Sequence, residues 1–508
     1  VEARSPSGFG RVNDGVSATQ SVLVERPVAL ELRDISKTYP GGFTAVRDVS
    51  LTLRAGEIHA LCGENGAGKT TLASIAAGTL APSSGTIEAA GAVGLVHQHF
   101  ELVDRLRVWE NVALGAEPRR GARLDATAAR ERVRSLSREY GLDVDPDAIV
   151  ENLPVAIAQR VELLRELSRA PKVLILDEPT AVLAPAEIDA LFAVVRGLAA
   201  RGTAILIITH KLNEVVAHTE RVTVVRAGAV VARFATSETS VDEIARAMVG
   251  GDIPKLADRL PKPTTSRLVA RGFSAGSGAH ALRASTFEVR AGEIVGIAGV
   301  EGNGQSALAD AIVGAIPYAG TLELDGVPVV GNARARIGAG IRSVPQDRQR
   351  EALVLAWSIV ENAVLGDHSR PPVRRGIGID RSVAEARAKS IVERFDVRAP
   401  SLGASVAQLS GGNQQKIVVG RALANEPRVV LAYQPTRGID VGAAALVQSR
   451  LIEARNAGVA ILLVSFELDE VLDLSDRILV LYRGAIAGEF ARSEFDRARI
   501  GALMAGAS

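Results

Sequence analysis

Cysteine is nearly missing from this chain. Its 508 residues include one, Cys62, so neither an internal disulfide framework nor a multi-cysteine zinc site can form. Such usage fits a reducing compartment. Net charge is missing too: 59 Lys and Arg against 58 Asp and Glu leave +1. No basic field argues for nucleic acid, and no acidic one for a solvating tail. No apolar run approaches the roughly 18–20 residues of a membrane helix. The first 28 residues are polar and lack the apolar stretch of a secretory leader, which reads as a flexible N-terminal tail (1–28) on a cytosolic protein. What remains is ordinary globular composition, 47% hydrophobic and 23% charged. That excludes a mainly disordered chain. The length has room for two large domains or three of about 150 residues.

The chain repeats itself. Arg54-Ala55-Gly56-Glu57-Ile58 recurs as Arg290-Ala291-Gly292-Glu293-Ile294, 236 residues later. Leu153–Arg160 aligns with Leu409–Lys416, and Ile205–Val215 with Ile461–Val471, both 256 residues later. Three blocks in one order at a near-constant offset indicate two homologous domains. The boundary falls in 250–266, where Gly250-Gly251, three prolines and Thr264-Thr265-Ser266 read as a linker. The expected organisation is a domain over 29–249 and a second over 267–508. Val173–Leu176 and Ala204–Ile208 are short apolar runs that read as buried parallel strands. Glu187–Leu198 has helical spacing, and the alternation implies an α/β layer fold. Residues 100–165 and 348–425 carry more helical pattern, which predicts an inserted helical subdomain in each half.

Gly63-Glu64-Asn65-Gly66-Ala67-Gly68-Lys69-Thr70 fits GxxxxGK[ST], with a strand candidate before it (Glu57–Cys62) and a helix expected over Thr71–Leu80. Glycines let backbone N–H groups curl around phosphate, and the helix N-terminus adds its dipole. Lys69 would contact the β and γ phosphates and Thr70 would ligate Mg²⁺. Val173–Leu176 ends in Asp177-Glu178. A carboxylate at the strand tip suits Mg²⁺, and the next can polarise the attacking water. Alone, each pattern could be a surface turn or a solvated acidic pair; together and in this order they point to nucleotide hydrolysis.

With Leu409-Ser410-Gly411-Gly412-Asn413 and His210 added, the set resembles the ATP-binding cassette (ABC) ATPases, twice over, from about Val28 onward. The resemblance implies an α/β fold of two tandem P-loop NTPase domains, each a RecA-like core with an inserted helical subdomain. It implies ATP and Mg²⁺ as cofactors, with Thr70, Gln98 and Asp177 around the metal and Glu178, His210 and Gln98 as catalytic groups. Tyr39 matches the aromatic that stacks on adenine, and Thr71 completes the loop. Ser410, Gly411, Gly412 and Asn413 match the signature motif, expected to meet the γ-phosphate of the other half with helix Gln414–Leu423 behind it.

The second half departs from the pattern. Gln305 replaces the loop lysine, Tyr433-Gln434 stand for Asp177-Glu178, and Phe466 stands for His210. In turn the first half has Leu153-Pro154-Val155-Ala156-Ile157 where a signature belongs, and Ala184 where the second half has Asp440. Paired across an interface, the losses converge. One composite site keeps every group, the other keeps almost none, and one hydrolytic site per chain is expected.

A fused pair of this kind resembles the ATPases of simple-sugar and nucleoside importers, whose second half carries a loop like Gly302–Ser306 and a stretch like Gln434–Gly438. Val96-His97-Gln98-His99-Phe100 is similar to the nucleoside-type branch, while Gln346 stands where glutamate is usual. The resemblance implies nucleoside uptake through two transmembrane permease subunits, gripped near Gln98 and Gln346 by the segments Phe100–Leu114 and Asp347–Leu365. An extracytoplasmic binding protein would deliver substrate, no nucleic acid would be involved, and the chain would sit on the cytoplasmic face of the membrane. Two alternatives stay open: a simple-sugar importer ATPase, and a soluble ABC regulator without a membrane partner.

Overall fold

The computed structural model describes residues 26–64, 66–97, 100–180, 183, 185–251, 256–260 and 265–506. Gln98, Asn65 and Ala184, the N-terminal residues 1–25 and much of the 250–266 segment lie outside them.

Each half is built on a six-stranded sheet. In the first the order is Ala229–Ala235, Arg221–Arg226, Ile58–Gly63, Ala204–Ile208, Val173–Asp177, Val93–Val96. All neighbours are parallel except the edge strand Ala229–Ala235. The three central strands are buried along their whole length, as their unbroken apolar runs require of strands covered on both faces. The second half repeats the order with Ala485–Ala491, Arg477–Tyr482, Ile294–Ala298, Ala460–Val464, Val429–Tyr433 and Ile341–Val344. A separate antiparallel sheet flanks each core: Thr44–Arg54, Val28–Thr38 and Ser84–Ala89 in the first half, and four strands starting at Ser266–Ala275 in the second.

The helical insertions form as expected, with different bounds. Helices Val108–Ala113, Ala126–Tyr140 and Val155–Leu167 pack through Val112, Val133 and Leu164, and Ile359–Ala363, Arg381–Arg394 and Gly411–Leu423 through Ala363, Ile391 and Val418. The expected helix over Thr71–Leu80 runs instead from Lys69 to Ala76, because the left-handed Gly68 begins it and Gly78 ends it. Of Phe100–Leu114 only Val108–Ala113 is α-helical, and a small antiparallel hairpin (Arg119–Arg120 with Arg123–Leu124) follows it.

The halves pack on each other reciprocally. Helix Val241–Val249 lies against Val441–Asn456, and Arg497–Met504 against Pro185–Ala200. Val441 packs on the cluster of Leu212, Val215 and Met248. No helix among the described residues is long and apolar enough to cross a membrane.

Candidate functional site

Three adjacent strands of the first sheet end side by side, and their carboxyl ends carry the chemistry, the usual location for ligands in an open parallel sheet. Ile58–Gly63 runs into the glycine loop, Val173–Asp177 ends on the acidic pair, and Ala204–Ile208 leads to His210. Two loop glycines are forced. A Cβ on Gly63 would fall 2.2 Å from the Val225 carbonyl, and Gly68 sits at φ +95° with the Ala45 carbonyl 2.3 Å from any Cβ.

Lys69 opens the helix and is 6% exposed. Its ammonium donates to the Gly63 carbonyl at 2.8 Å and the Glu64 carbonyl at 3.0 Å, so it folds back over the loop. Burial pushes its pKa down, and the carboxylates of Glu178 and Asp177 oppose that shift. The Thr70 hydroxyl donates to Asp177 Oδ2 at 3.0 Å. Burial pushes Asp177 up, Thr70 pulls it back, and Glu178 adds to the rise. Glu178 sits at φ +48° with its N–H donating to the Ile208 carbonyl at 2.8 Å. That kink turns its carboxylate toward His210, whose Nδ1 lies 3.1 Å from Glu178 Oε1. Burial would raise Glu178, but His210, then Lys69 and Lys211, outweigh it and hold the carboxyl below the usual range. A carboxylate kept ionised in this way can accept a proton from water. Thr70 and Asp177 together offer two hard oxygen donors at one point, a set that fits Mg²⁺ completed by phosphate and water. Half-buried Tyr39 lies beside the loop, its hydroxyl 3.4 Å from Thr71 Oγ1 and its ring under Lys37.

From the other half comes helix Gly411–Leu423, which begins at Gly411 rather than at the expected Gln414. Ser410 is its N-cap and accepts from the Asn413 N–H at 3.4 Å and the Asn413 amide at 3.0 Å. Gly412 packs against Asp440, whose carboxylate would be 3.0 Å from a Cβ there. Asp440 in turn acts on the first-half loop: burial pushes Glu64 up, and the charge of Asp440 adds to it. The structure therefore brings Tyr39, Gly63, Glu64, Gly66, Ala67, Gly68, Lys69, Thr70, Thr71, Asp177, Glu178 and His210 to one end of the first sheet, and the Ser410–Asn413 turn of the second half is tied to them through Asp440, which packs on Gly412 and whose charge acts on Glu64. Gln98 and Asn65 lie outside the described residues.

The second loop keeps the fold-back of its first helical side chain but carries different chemistry. Gln305 is 1% exposed and donates to the Val300 carbonyl at 3.1 Å. Ser306 Oγ lies 2.9 Å from Tyr433 Oη, and the Tyr433 ring meets Phe466 edge-on at 6.1 Å. His280 Nδ1 lies 2.9 Å from the Gly302 carbonyl. In the first half, helix Val155–Leu167 starts behind Pro154 with no side-chain cap, and Val155 is exposed.

Two residues near the first site escaped the sequence reading. Lys211 follows His210 and donates to the Thr180 carbonyl at 2.9 Å. Arg348 donates to the Arg437 carbonyl at 3.0 Å, and its Nη2 lies 2.5 Å from where a Gly411 Cβ would be. Lys211 had a signal, since its counterpart in the repeat is the oppositely charged Glu467.

A family model described as ABC transporter matches residues 46–181 and again 282–437. The chain is 38% identical to the nucleoside import ATP-binding protein NupA of Lactococcus lactis, over 94% of this chain and 98% of that protein. It is 39% identical to the guanosine import ATP-binding protein NupO of Bacillus subtilis, with the same coverage. It is 41% identical to the ribose import ATP-binding protein RbsA 3 of Rubrobacter xylanophilus, again over 94% and 98%. A solved structure of the archaeal ribosome recycling factor aABCE1 in complex with ribosomal stalk protein aP1 superposes with a TM-score of 0.64 at 16% identity, over 89% of this chain and 88% of that one, a likeness of fold.

Proposed function

The chain belongs to the ABC transporter family, with two ABC ATPase domains and the ATPase activity of that family, and from that premise we propose that it drives nucleoside import through a single composite ATP site. Lys69 and the amides of Gly63–Thr70 hold the phosphates, Tyr39 stacks on the base, and Thr71 closes the loop. Thr70, Asp177 and Gln98 hold Mg²⁺, which supplies charge neutralisation on the phosphates. Glu178 polarises the attacking water, His210 holds Glu178 and meets the γ-phosphate, and Ser410, Gly411, Gly412 and Asn413 complete the site from the second half. The observation that carries this reading is the contrast between Thr70–Asp177 at 3.0 Å and its counterpart Ser306–Tyr433 at 2.9 Å. A carboxylate, which can ligate a divalent cation, stands in one pocket and a phenol in the other.

The proposed domains run over 29–249 and 267–508, joined through 250–266, and the first strand of each half opens one residue ahead of these bounds, at Val28 and Ser266. The partners are two membrane permeases, with a separate extracytoplasmic binding protein acting indirectly, and the chain works at the cytoplasmic face of the membrane. The nucleoside branch draws support from the NupA and NupO relatives; the RbsA 3 relative supports a sugar importer as the second reading. Uptake of labelled nucleosides, pentoses and hexoses in cells carrying wild type, Lys69→Ala or Gln305→Ala decides between them. Nucleoside uptake lost only with Lys69→Ala is expected. Sugar uptake lost instead moves the assignment to the second reading.

A further inference from the structure

Lys211 and Glu467 occupy the same position in the two copies of the repeat, 256 residues apart, and they touch: Lys211 Nζ lies 3.3 Å from Glu467 Oε2. In a two-fold interface a residue meets its own equivalent only on the axis. The flanking packing has the same symmetry. Val241–Val249 lies on Val441–Asn456 and Arg497–Met504 on Pro185–Ala200, which are equivalent pairs at the same 256-residue offset. The pseudo-two-fold axis therefore passes between Lys211 and Glu467. Two identical halves would put like charges there. A fused chain with two different halves can place opposite ones.

Both partners are anchored. Each sits beside the same threonine–glutamate bond, Thr180 Oγ1 to Glu214 Oε2 at 2.7 Å in one half and Thr436 Oγ1 to Glu470 Oε1 at 2.8 Å in the other. The backbone N–H of Glu467 donates to Ser465 Oγ at 3.1 Å. Lys211 also donates to the Thr180 carbonyl at 2.9 Å and lies 3.9 Å from Glu214 Oε1. Thr180 is two residues beyond Glu178, and His210, next to Lys211, bonds Glu178 at 3.1 Å. One ammonium thus ties together the His210 loop, the segment after Glu178 and the opposite half.

We propose that Lys211 and Glu467 form a positioning pair for hydrolysis, fixing the alignment in which the Ser410 turn of one half faces the Lys69 loop of the other. The proposal rests on the composite-site reading above. Neither residue touches nucleotide in it; both act through the loops they hold.

The test uses the full chain, measuring phosphate release at saturating ATP and binding of a fluorescent ATP analogue. Glu467→Gln, nearly isosteric, lowers turnover about two- to fivefold, the worth of a partly exposed ion pair. Glu467→Lys places like charges on the axis and lowers it at least about tenfold. Analogue binding stays within about twofold of wild type in both, because the Lys69 loop is untouched. Glu467→Asp keeps a negative charge facing Lys211 and leaves the Lys211–Thr180 bond intact, so it stays within about twofold of wild type. Wild-type turnover in both Glu467→Gln and Glu467→Lys overturns the proposal, and so does Glu467→Asp no better than Glu467→Lys. Gly411→Asp is run in parallel. If it abolishes hydrolysis while the Glu467 variants stay normal, the pair alone is refuted. If hydrolysis survives Gly411→Asp, the composite site itself is refuted.

Discussion

The first-half loop sets Thr70 against Asp177 and His210 against Glu178, and the second-half loop sets Ser306 against Tyr433, with Phe466 across the ring. Beneath these side chains the backbones match. Glu178 and Gln434 share the left-handed kink, at φ +48° and +51°, and each N–H reaches the neighbouring strand, at Ile208 and Val464. The sheet order is the same in both. The fold therefore does not depend on the nucleotide chemistry. In the second half buried Tyr433 and half-buried Phe466 stand in the place of the carboxylate and histidine, so this packing keeps the same backbone without those groups. The same half keeps the capped Ser410 turn that the first half has replaced with Pro154 and exposed Val155. Each half supplies what the other lacks.

The contrast can be broken most strongly at Lys69. Lys69→Ala removes the phosphate-facing cation and lowers ATP hydrolysis by about 10²–10³, the usual size for one preorganised electrostatic group. Gln305→Lys adds no phosphate release, because Tyr433 still stands where the first half has Asp177. Tyr433→Ala is the converse: about 3 kcal/mol of stability is lost from the second half as the ring leaves a cavity beside Phe466. Turnover at the first site persists wherever the chain is folded, and thermal melting with parallel assays separates the two effects.

Smaller changes sharpen the difference between the two helix starts. Gly411→Ala puts a Cβ 2.5 Å from Arg348 Nη2. The guanidinium must move from the Ser410 turn, and turnover falls about tenfold. Val155→Ala, at the equivalent exposed position, leaves turnover within about twofold. The smallest effect concerns His210. Its bond helps hold Glu178 below the ordinary glutamate value of 4.5. A depressed carboxylate pKa stabilises the fold above the ordinary value and loses that contribution as pH falls through the depressed one. His210 is 43% exposed as a side chain, so screening limits the term. His210→Ala costs less than about 1 kcal/mol at pH 7, and the difference from wild type shrinks by pH 4 in thermal melts.

Much of this was legible in the residues because it is local. Gly63–Thr70 carries its geometry in eight consecutive positions, and the apolar run Val173–Leu176 announces a strand ending on Asp177. The repeat gave two homologous domains, and the pairing of one loop with the other half's turn came only from the family resemblance. Boundaries were less legible. The helix behind Ser410 starts three residues early because a capping serine tolerates glycines in the first turn, where propensity alone argues against them. Contacts between distant segments were not legible, beyond the opposite charges at the repeat-equivalent positions Lys211 and Glu467. Lys211 with Glu467, Arg348 against Gly411, and His280 on Gly302 each depend on where loops meet in space, and no local pattern encodes that.

The most direct test of a single working site is steady-state phosphate release by Glu178→Gln, with Gln434→Glu beside it. With one competent site, Glu178→Gln falls to about a hundredth of wild type or lower, and Gln434→Glu matches wild type. If Glu178→Gln kept more than about a tenth of the activity, the second pocket would be hydrolysing ATP, and the division of labour between the halves would be wrong.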